Sequence, residues 1–324
     1  MAPSPTNPNP KVSIIIPTYN TARLIAACLD SVFAQTYRDY ETIVVNDGSP
    51  DTPELEKVLA PYMSRIVYIK QENKRAAGAR NNAIRQARGE FVALLDSDDS
   101  WLPNHLALQM EMIANDPSLD LVYANGLLVG PDRQREFMDE CPSRGEATFA
   151  ALIMERCQVS ISTVVARRQT LLDAGLFDEK LLRCDDYDMW VRAAFHGAKI
   201  GYGRTVQAKF FVGRPGSLSE SKAKMIEAYW NILEKFKKTL PLNDADRTVV
   251  NQRASEIRAL YLVAMGKSQI AARQFDKALE SFTEANQYLN NYKLTATVLG
   301  LRLAPKLTGR LLASWKLMRS GSSA

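Results

Sequence analysis

The sequence predicts an α/β fold: a mostly parallel sheet flanked by helices, followed by an all-helical C-terminal region. Three observations carry that expectation. Short β-branched runs alternate with helical periodicity through the first half, polar clusters recur where those runs end, and from about Ser221 the apolar spacing is helical throughout.

The strand candidates are KVSIIIP (11–17), ETIVVN (41–46), RIVYIK (65–70), EFVALL (90–95) and LDLVYAN (119–125), each closed by polar or turn residues. Between the first two, residues 22–35 set Leu24, Ile25, Cys28, Leu29 and Val32 on one helical face, and a second helical pattern over 76–88 begins near Gly78 and ends near Gly89. Buried parallel strands read as continuous apolar runs because helices cover both faces. Ligands of such sheets sit beyond the carboxyl ends of the strands, where PTYN (17–20), NDGS (46–49) and DSDD (96–99) all fall.

Composition narrows the function. The 324 residues are 46% hydrophobic and 24% charged, an ordinary globular balance with length for a large domain and a smaller one. Residues 1–10 hold four prolines without a basic cluster or apolar core, the pattern of a flexible leader rather than a signal peptide. A net charge of +5 is too mild to imply nucleic acid. No apolar run reaches the roughly 18 residues of a spanning helix. Cys28, Cys141, Cys157 and Cys184 form no CxxC pair, and two histidines leave little material for a zinc site or a serine-histidine triad. Reduced thiols fit a cytoplasmic protein. Neither GxxxxGK[ST] nor GxGxxG follows any strand, which disfavours P-loop enzymes and dehydrogenases.

FVALLDSDDSW (91–101) sets Asp96, Asp98 and Asp99 directly after an apolar strand. Like charges so close repel, and a hard divalent cation such as magnesium or manganese, which takes oxygen ligands, would relieve them. A solvated turn capping the next helix explains one of the three carboxylates but not all. A second acidic cluster, RCDDYDMWVRAAFHG (183–197), has helical spacing with Trp190, Val191 and Ala194 turned inward. Carboxylates at such a helix start also complement its dipole.

The order VSIIIPTYN, TIVVNDGS, AGARNNAIRQARGEFVALLDSDD and DDYDMWVRAAFHG resembles the family 2 glycosyltransferases of the GT-A fold, a Rossmann-like architecture, over residues 11–220. The resemblance implies an inverting enzyme that moves a sugar from a nucleoside diphosphate donor, with Mn2+ or Mg2+ as cofactor. It places the base and ribose at Pro17, Tyr19 and Asn20, and gives Asp47 the base's N–H groups, which suit an acceptor-only carboxylate. Arg80 falls beside the base or its phosphates, where a permanently charged fork is useful. Asp96 falls on the ribose and Asp98 on the metal ligand of the DxD signature, with Asp99 assisting either. The family's Glu-Asp motif falls on Asp185 and Asp186, its Asp being the general base. Asp185 is one methylene shorter than the family's Glu, so either aspartate is open as the residue facing the acceptor. The family's Tyr-Arg-x-His stretch is replaced by Phe211, Val212 and Arg214, leaving Arg214 in the histidine's place to neutralise a departing diphosphate.

Residues 221–324 form a separate helical region. Leu262, Met265, Gly266, Ala278, Phe282 and Ala285 match the spacing of one tetratricopeptide-like hairpin, which needs neighbouring helices, the catalytic domain or a protein partner to cover its face. Residues 293–319 carry six basic residues and no acidic one among leucines, a composition suited to an anionic membrane surface or to a helix docked by its leucines. The function expected is transfer of a sugar, by default from a UDP-sugar, to a hydroxyl of a glycan, polysaccharide or lipid-linked acceptor. The alternatives are a sugar nucleotidyltransferase and a non-catalytic scaffold that binds sugar nucleotides. The first rival normally has a glycine-rich basic loop where this chain has PTYNTARL.

Overall fold

The structure, a computed structural model, describes residues 9–131, 133–213 and 222–311. Residues 1–8 of the expected leader at 1–10, Arg214 and residues 312–319 of the basic tail lie outside the described residues. The chain forms two compact units, residues 1–220 and 221–324.

The first unit is built on one sheet of nine strands: β1 (Val12–Thr18), β2 (Tyr40–Asp47), β3 (Val67–Gln71), β4 (Phe91–Leu94), β5 (Ser100–Trp101), β6 (Leu121–Val129), β7 (Gln134–Glu136), β8 (Val165–Arg167) and β9 (Ile200–Phe211). Their order is β3-β2-β1-β4-β8-β6-β9-β5, with β7 beside β6. Strands β3, β2, β1 and β4 are mutually parallel, so the carboxyl ends of β1, β2 and β4 share one edge. Val12, Ile14, Ile15 and Ile16 are wholly buried, as are Ile25, Cys28, Leu29 and Val32 of α1 (Ile25–Phe33). At roughly 1.5–3 kcal/mol per buried aliphatic side chain, this layer is a major source of the unit's stability.

The expected α/β class is met, with one difference. Strand β8 lies antiparallel between β4 and β6, and β9 turns back along β5 antiparallel. Only three residues long, β8 is too short to carry a period-two signal of its own. It nonetheless seats Ser162, three residues before it, beside the end of β4 at Asp96, and Thr163 against Ala124 of β6. The long β6–β9 pair is parallel with irregular register near Asn125, where Gly126 accepts the Phe210 ring at a distance no Cβ could tolerate.

The helices of this unit are α1, α2 (Thr52–Leu59), α3 (Arg75–Gln86), α4 (His105–Asn115), α5 (Phe137–Glu140), α6 (Phe149–Ile153), α7 (Arg168–Asp173) and α8 (Asp185–Phe195). In α8, Trp190 and Val191 are buried as their spacing predicts, but Ala193 takes the inward place and Ala194 is half-buried.

The second unit comprises α9 (Lys222–Thr239), α10 (Asp244–Ala271), α11 (Phe275–Leu289) and α12 (Tyr292–Leu303). Asn243 caps α10 by accepting the Asp246 N–H at 2.8 Å. The hairpin of α10 and α11 closes through Gly266, against which the Phe282 ring packs, and through buried Ala278 and Ala285. Trp230 of α9 stacks on Tyr261 of α10 at 6.3 Å, and Arg258 lies over Trp230 while pairing with Glu284. Pro305 lacks the N–H that a continuous helix needs; α12 stops at Leu303 and helix resumes over 305–311.

Candidate active site

The loops after β1 and β2 form one tied structure. Asn20 adopts φ +56° and its N–H donates to Ser49 Oγ at 2.6 Å, while the Ala22 N–H reaches Asp51 Oδ2 at 2.9 Å. The Ser49 N–H in turn reaches Asn46 Oδ1 at 2.9 Å. Gly48 has φ +62°, and a Cβ there would stand 2.7 Å from the Asn73 backbone nitrogen, so both conformation and space require glycine. Pro17 is half-buried in β1, and Tyr19 beyond it is exposed. Asp47 is buried, with Oδ1 accepting the Lys74 N–H at 2.8 Å and the Gln71 amide at 2.7 Å.

Arg80 of α3 joins the two acidic clusters. It is buried, one terminal nitrogen donating to Asp96 Oδ1 at 2.6 Å and the other to Asp185 Oδ2 at 2.8 Å. Burial opposes its charge, but Asp96 and Asp185 together hold the guanidinium above its ordinary range. Its fork, expected beside the nucleotide, is thus engaged by the protein's own carboxylates, and it ties the loop after β4 to the start of α8.

Asp96, Asp98 and Asp99 each offer a carboxylate oxygen, all within 4.8 Å of one another. Asp99 accepts the Ser162 hydroxyl at 2.7 Å and the Phe211 N–H at 3.2 Å. Burial, then the charges of Asp96 and Asp98, push its carboxyl well above the ordinary range, and those two hydrogen bonds only partly oppose this. An all-oxygen donor set under mutual repulsion fits a hard divalent cation. Ser162 also accepts the Asp96 N–H at 3.2 Å, and its carbonyl accepts the Trp101 indole N–H at 2.6 Å. It therefore orients two of the three acids, a role invisible in SISTVV because Ser162 is one of three hydroxyl residues there and lies far along the chain from the acids.

The second cluster opens α8. Cys184, just before it, holds φ +58°, a left-handed conformation that costs a non-glycine residue about 1 kcal/mol or more and sets the angle at which Asp185 and Asp186 leave the loop. Asp186 is half-buried; its Oδ1 accepts the Tyr187 N–H at 2.9 Å. Burial, then the adjacent Asp185 charge, raise its carboxyl to about 6, against the pull of that N–H and of Arg80. Behind it, Arg192 pairs with fully buried Asp188 and donates to the Leu176 carbonyl at 2.7 Å, and Asn81 of α3 holds both the N–H and the carbonyl of Phe177. These bonds bind α3, the 174–179 loop and α8 into one support. The structure thus gathers Arg80, Asp96, Asp98, Asp99, Asp185 and Asp186, while Pro17, Tyr19, Asn20 and Asp47 belong to the neighbouring loops of the same edge.

A parallel sheet edge that unites an acidic triad with an acidic helix start defines a group-transferring enzyme of the nucleotide-binding α/β type. Residues 13–171 match the family model described as glycosyl transferase family 2. The chain is 32% identical over 230 residues to Escherichia coli WfgD, named as a UDP-Glc:alpha-D-GlcNAc-diphosphoundecaprenol beta-1,3-glucosyltransferase, covering 69% of this chain and 86% of the relative. Other curated relatives, uncharacterized glycosyltransferases of Rickettsia bellii and Rickettsia conorii, are longer, and the chain spans 29% and 33% of their length. In fold it is similar to S. aureus TarS 1-349, solved in complex with UDP-GlcNAc, with TM-score 0.62, 19% identity and coverage of 96% and 92% of the two chains. It is also similar to the Pyrobaculum calidifontis mannosyltransferase PcManGT, solved with GDP-Man and Mn2+, with TM-score 0.63, 21% identity and coverage of 99% and 86%. The chain belongs to glycosyltransferase family 2, and is an enzyme that transfers a sugar from a nucleotide sugar.

Proposed function

We propose that the chain is an inverting, metal-dependent transferase that moves a sugar from a nucleoside diphosphate donor to a hydroxyl of a glycan, polysaccharide or lipid-linked saccharide. The observation that carries this reading is the Arg80 bridge, which brings Asp185 and Asp186 to the same place as the triad of Asp96, Asp98 and Asp99. Residues 11–220 are assigned the catalysis, and residues 221–324 a helical region with one tetratricopeptide-like hairpin in α10 and α11. Free thiols at all four cysteines fit a cytoplasmic enzyme.

Pro17, Tyr19, Asn20 and Asp47 would receive the base and ribose, and Asp96 the ribose. UDP is the first choice of carrier, supported by the UDP donors in the names of WfgD and the TarS complex, with GDP the second, from PcManGT. A lipid diphosphate-linked acceptor is supported by WfgD alone. Asp98 and Asp99, with Asp96 beside them, would hold manganese or magnesium. Such an ion offsets negative charge growing on a leaving diphosphate.

Asp186 is the general base. Its raised carboxyl is ionised near neutrality yet basic enough to take a proton, which a freely solvated aspartate does poorly. As the acceptor oxygen forms its bond to the anomeric carbon, the bond from that carbon to the diphosphate breaks on the opposite face. The hydroxyl proton passes to Asp186, and one displacement inverts the centre. Asp185, held by Arg80, keeps Asp186 raised and orients the helix start.

The test is donor titration by calorimetry with UDP- and GDP-sugars, with manganese and with chelator, followed by NMR assignment of the product anomer. Metal-dependent binding and an inverted anomer are expected. Retention of configuration, or binding indifferent to chelator, would overturn the mechanism.

A further inference from the structure

We propose that α12 and the helical segment 305–311 rest on an anionic lipid surface. The argument starts from a helix that is apolar on opposite sides. In α12, Leu294, Val298 and Leu301 face the core formed with Ile270, Ala278 and Phe282. At 100° per residue, Tyr292, Leu299 and Leu303 lie on the reverse side. There Tyr292 is 77% exposed, Leu299 56% and Leu303 77%, and Leu307 of the next segment is 58% exposed. Isolated exposed leucines need no explanation, but three large apolar side chains on one side of α12, with another exposed leucine in the segment that follows the break, mark a surface that something covers.

Charge selects the occupant. Arg302 and Lys306 are both exposed, and each immediately precedes an exposed leucine, Leu303 and Leu307. Neighbours on a helix lie about a quarter-turn apart, so each cation stands beside the exposed leucine of its own segment. That is the arrangement in which leucines enter the acyl boundary while basic groups meet headgroups. After Glu284 the sequence has no acidic residue and six basic ones. A second copy of the same face would oppose cation to cation, whereas an anionic bilayer complements it. No helix among the described residues is long and apolar enough to cross a membrane, which leaves the surface as the place of contact.

The reading is independent of acceptor and donor. It is tested by flotation of the full chain with vesicles of phosphatidylcholine alone and with added phosphatidylglycerol. Binding is expected only with the anionic lipid, and should weaken from low to high salt as the charges are screened. Each basic group near such a surface strengthens attachment roughly fivefold, so Arg302→Glu with Lys306→Glu should weaken it by roughly 30-fold or more. Leu303→Glu with Leu307→Glu should abolish it. Both pairs are exposed, and unchanged circular dichroism and donor titration establish that the fold persists; Arg302→Gln with Lys306→Gln serves where a reversal disturbs it. Failure of the full chain to float with anionic vesicles, or equal flotation of the parent and all variants, overturns the proposal. So does self-association in light scattering that the leucine variant loses while its vesicle binding is unchanged. Since flotation needs no donor, each result stands apart from the transfer mechanism.

Discussion

The two ends of the same sheet each bury carboxylates beside an arginine, and they do different things. At the amino end of β2, Glu41 is buried with both oxygens doubly occupied. One accepts from the Ser13 hydroxyl and the Arg88 N–H; the other accepts from two guanidinium nitrogens of Arg88. At the carboxyl end, five aspartates gather near Arg80, which donates to Asp96 and Asp185. The first carboxylate has every lone pair answered and can only stabilise. The second group keeps an excess of negative charge, which adds to burial in raising the carboxyls of Asp99 and Asp186. Burial alone does not distinguish the two ends, since Glu41 is buried as well; they differ in how completely positive and hydrogen-bonding partners answer the carboxylates.

The largest way to test this contrast is Asp186→Asn. Turnover should fall by roughly 10² to 10⁴ with donor affinity retained, read from initial rates and calorimetry. If the loss falls on Asp185→Asn instead, the base is one residue back. Arg80→Ala comes next, because it leaves Asp96 and Asp185 without their shared cation. Breaking such a buried pair costs about 3–5 kcal/mol, measured by urea unfolding, and here turnover should fall as well. Asp98→Asn should weaken manganese-supported donor binding by roughly 100-fold or more, since even the outer partners of a metal ligand are worth 10–100-fold. An unchanged affinity would remove Asp98 from the ligand set.

At the opposite end, Glu41→Gln should lower unfolding free energy by about 1–3 kcal/mol while leaving turnover per folded molecule unaltered. A drop in turnover there would erase the contrast between the two ends. The mildest perturbation is pH. With Asp186 raised to about 6, its reactive ionised form is lost as pH falls through that value. The rate should then drop by roughly tenfold per unit further down and level off above it. A profile flat to pH 4 would show that no raised carboxyl limits the reaction.

Much of this edge was readable in the chain because parallel strands announce themselves. Their apolar runs end in polar clusters, and DSDD and DDYD each concentrate charge in a few residues. What stayed hidden depends on distance along the chain. Arg80 and Asp185 meet across 105 positions, so nothing in ARN signalled that this arginine also ties the two acidic groups together. Ser162 orients Asp96 and Asp99 from a three-residue turn before a three-residue strand, with no periodicity to mark either. The inward place in α8 shifted from Ala194 to Ala193 because small residues at adjacent positions give a weak directional signal. In the helical region, Leu262, Gly266, Ala278, Phe282 and Ala285 are buried, positions that the helical spacing singles out.

The left-handed turn at Cys184 acts as a filter on which sequences can occupy that position. The backbone there accepts glycine and asparagine with ease and β-branched residues only under strain, so the dihedral angle is one constraint on this position. Cys184→Gly should keep the fold but loosen the first turn of α8, whereas Cys184→Val should tilt the acidic pair away from its place. Variation tolerated at this one residue therefore reports on backbone geometry next to the acidic pair, and a library at position 184 would sort substitutions by backbone preference as well as by fit to a buried place.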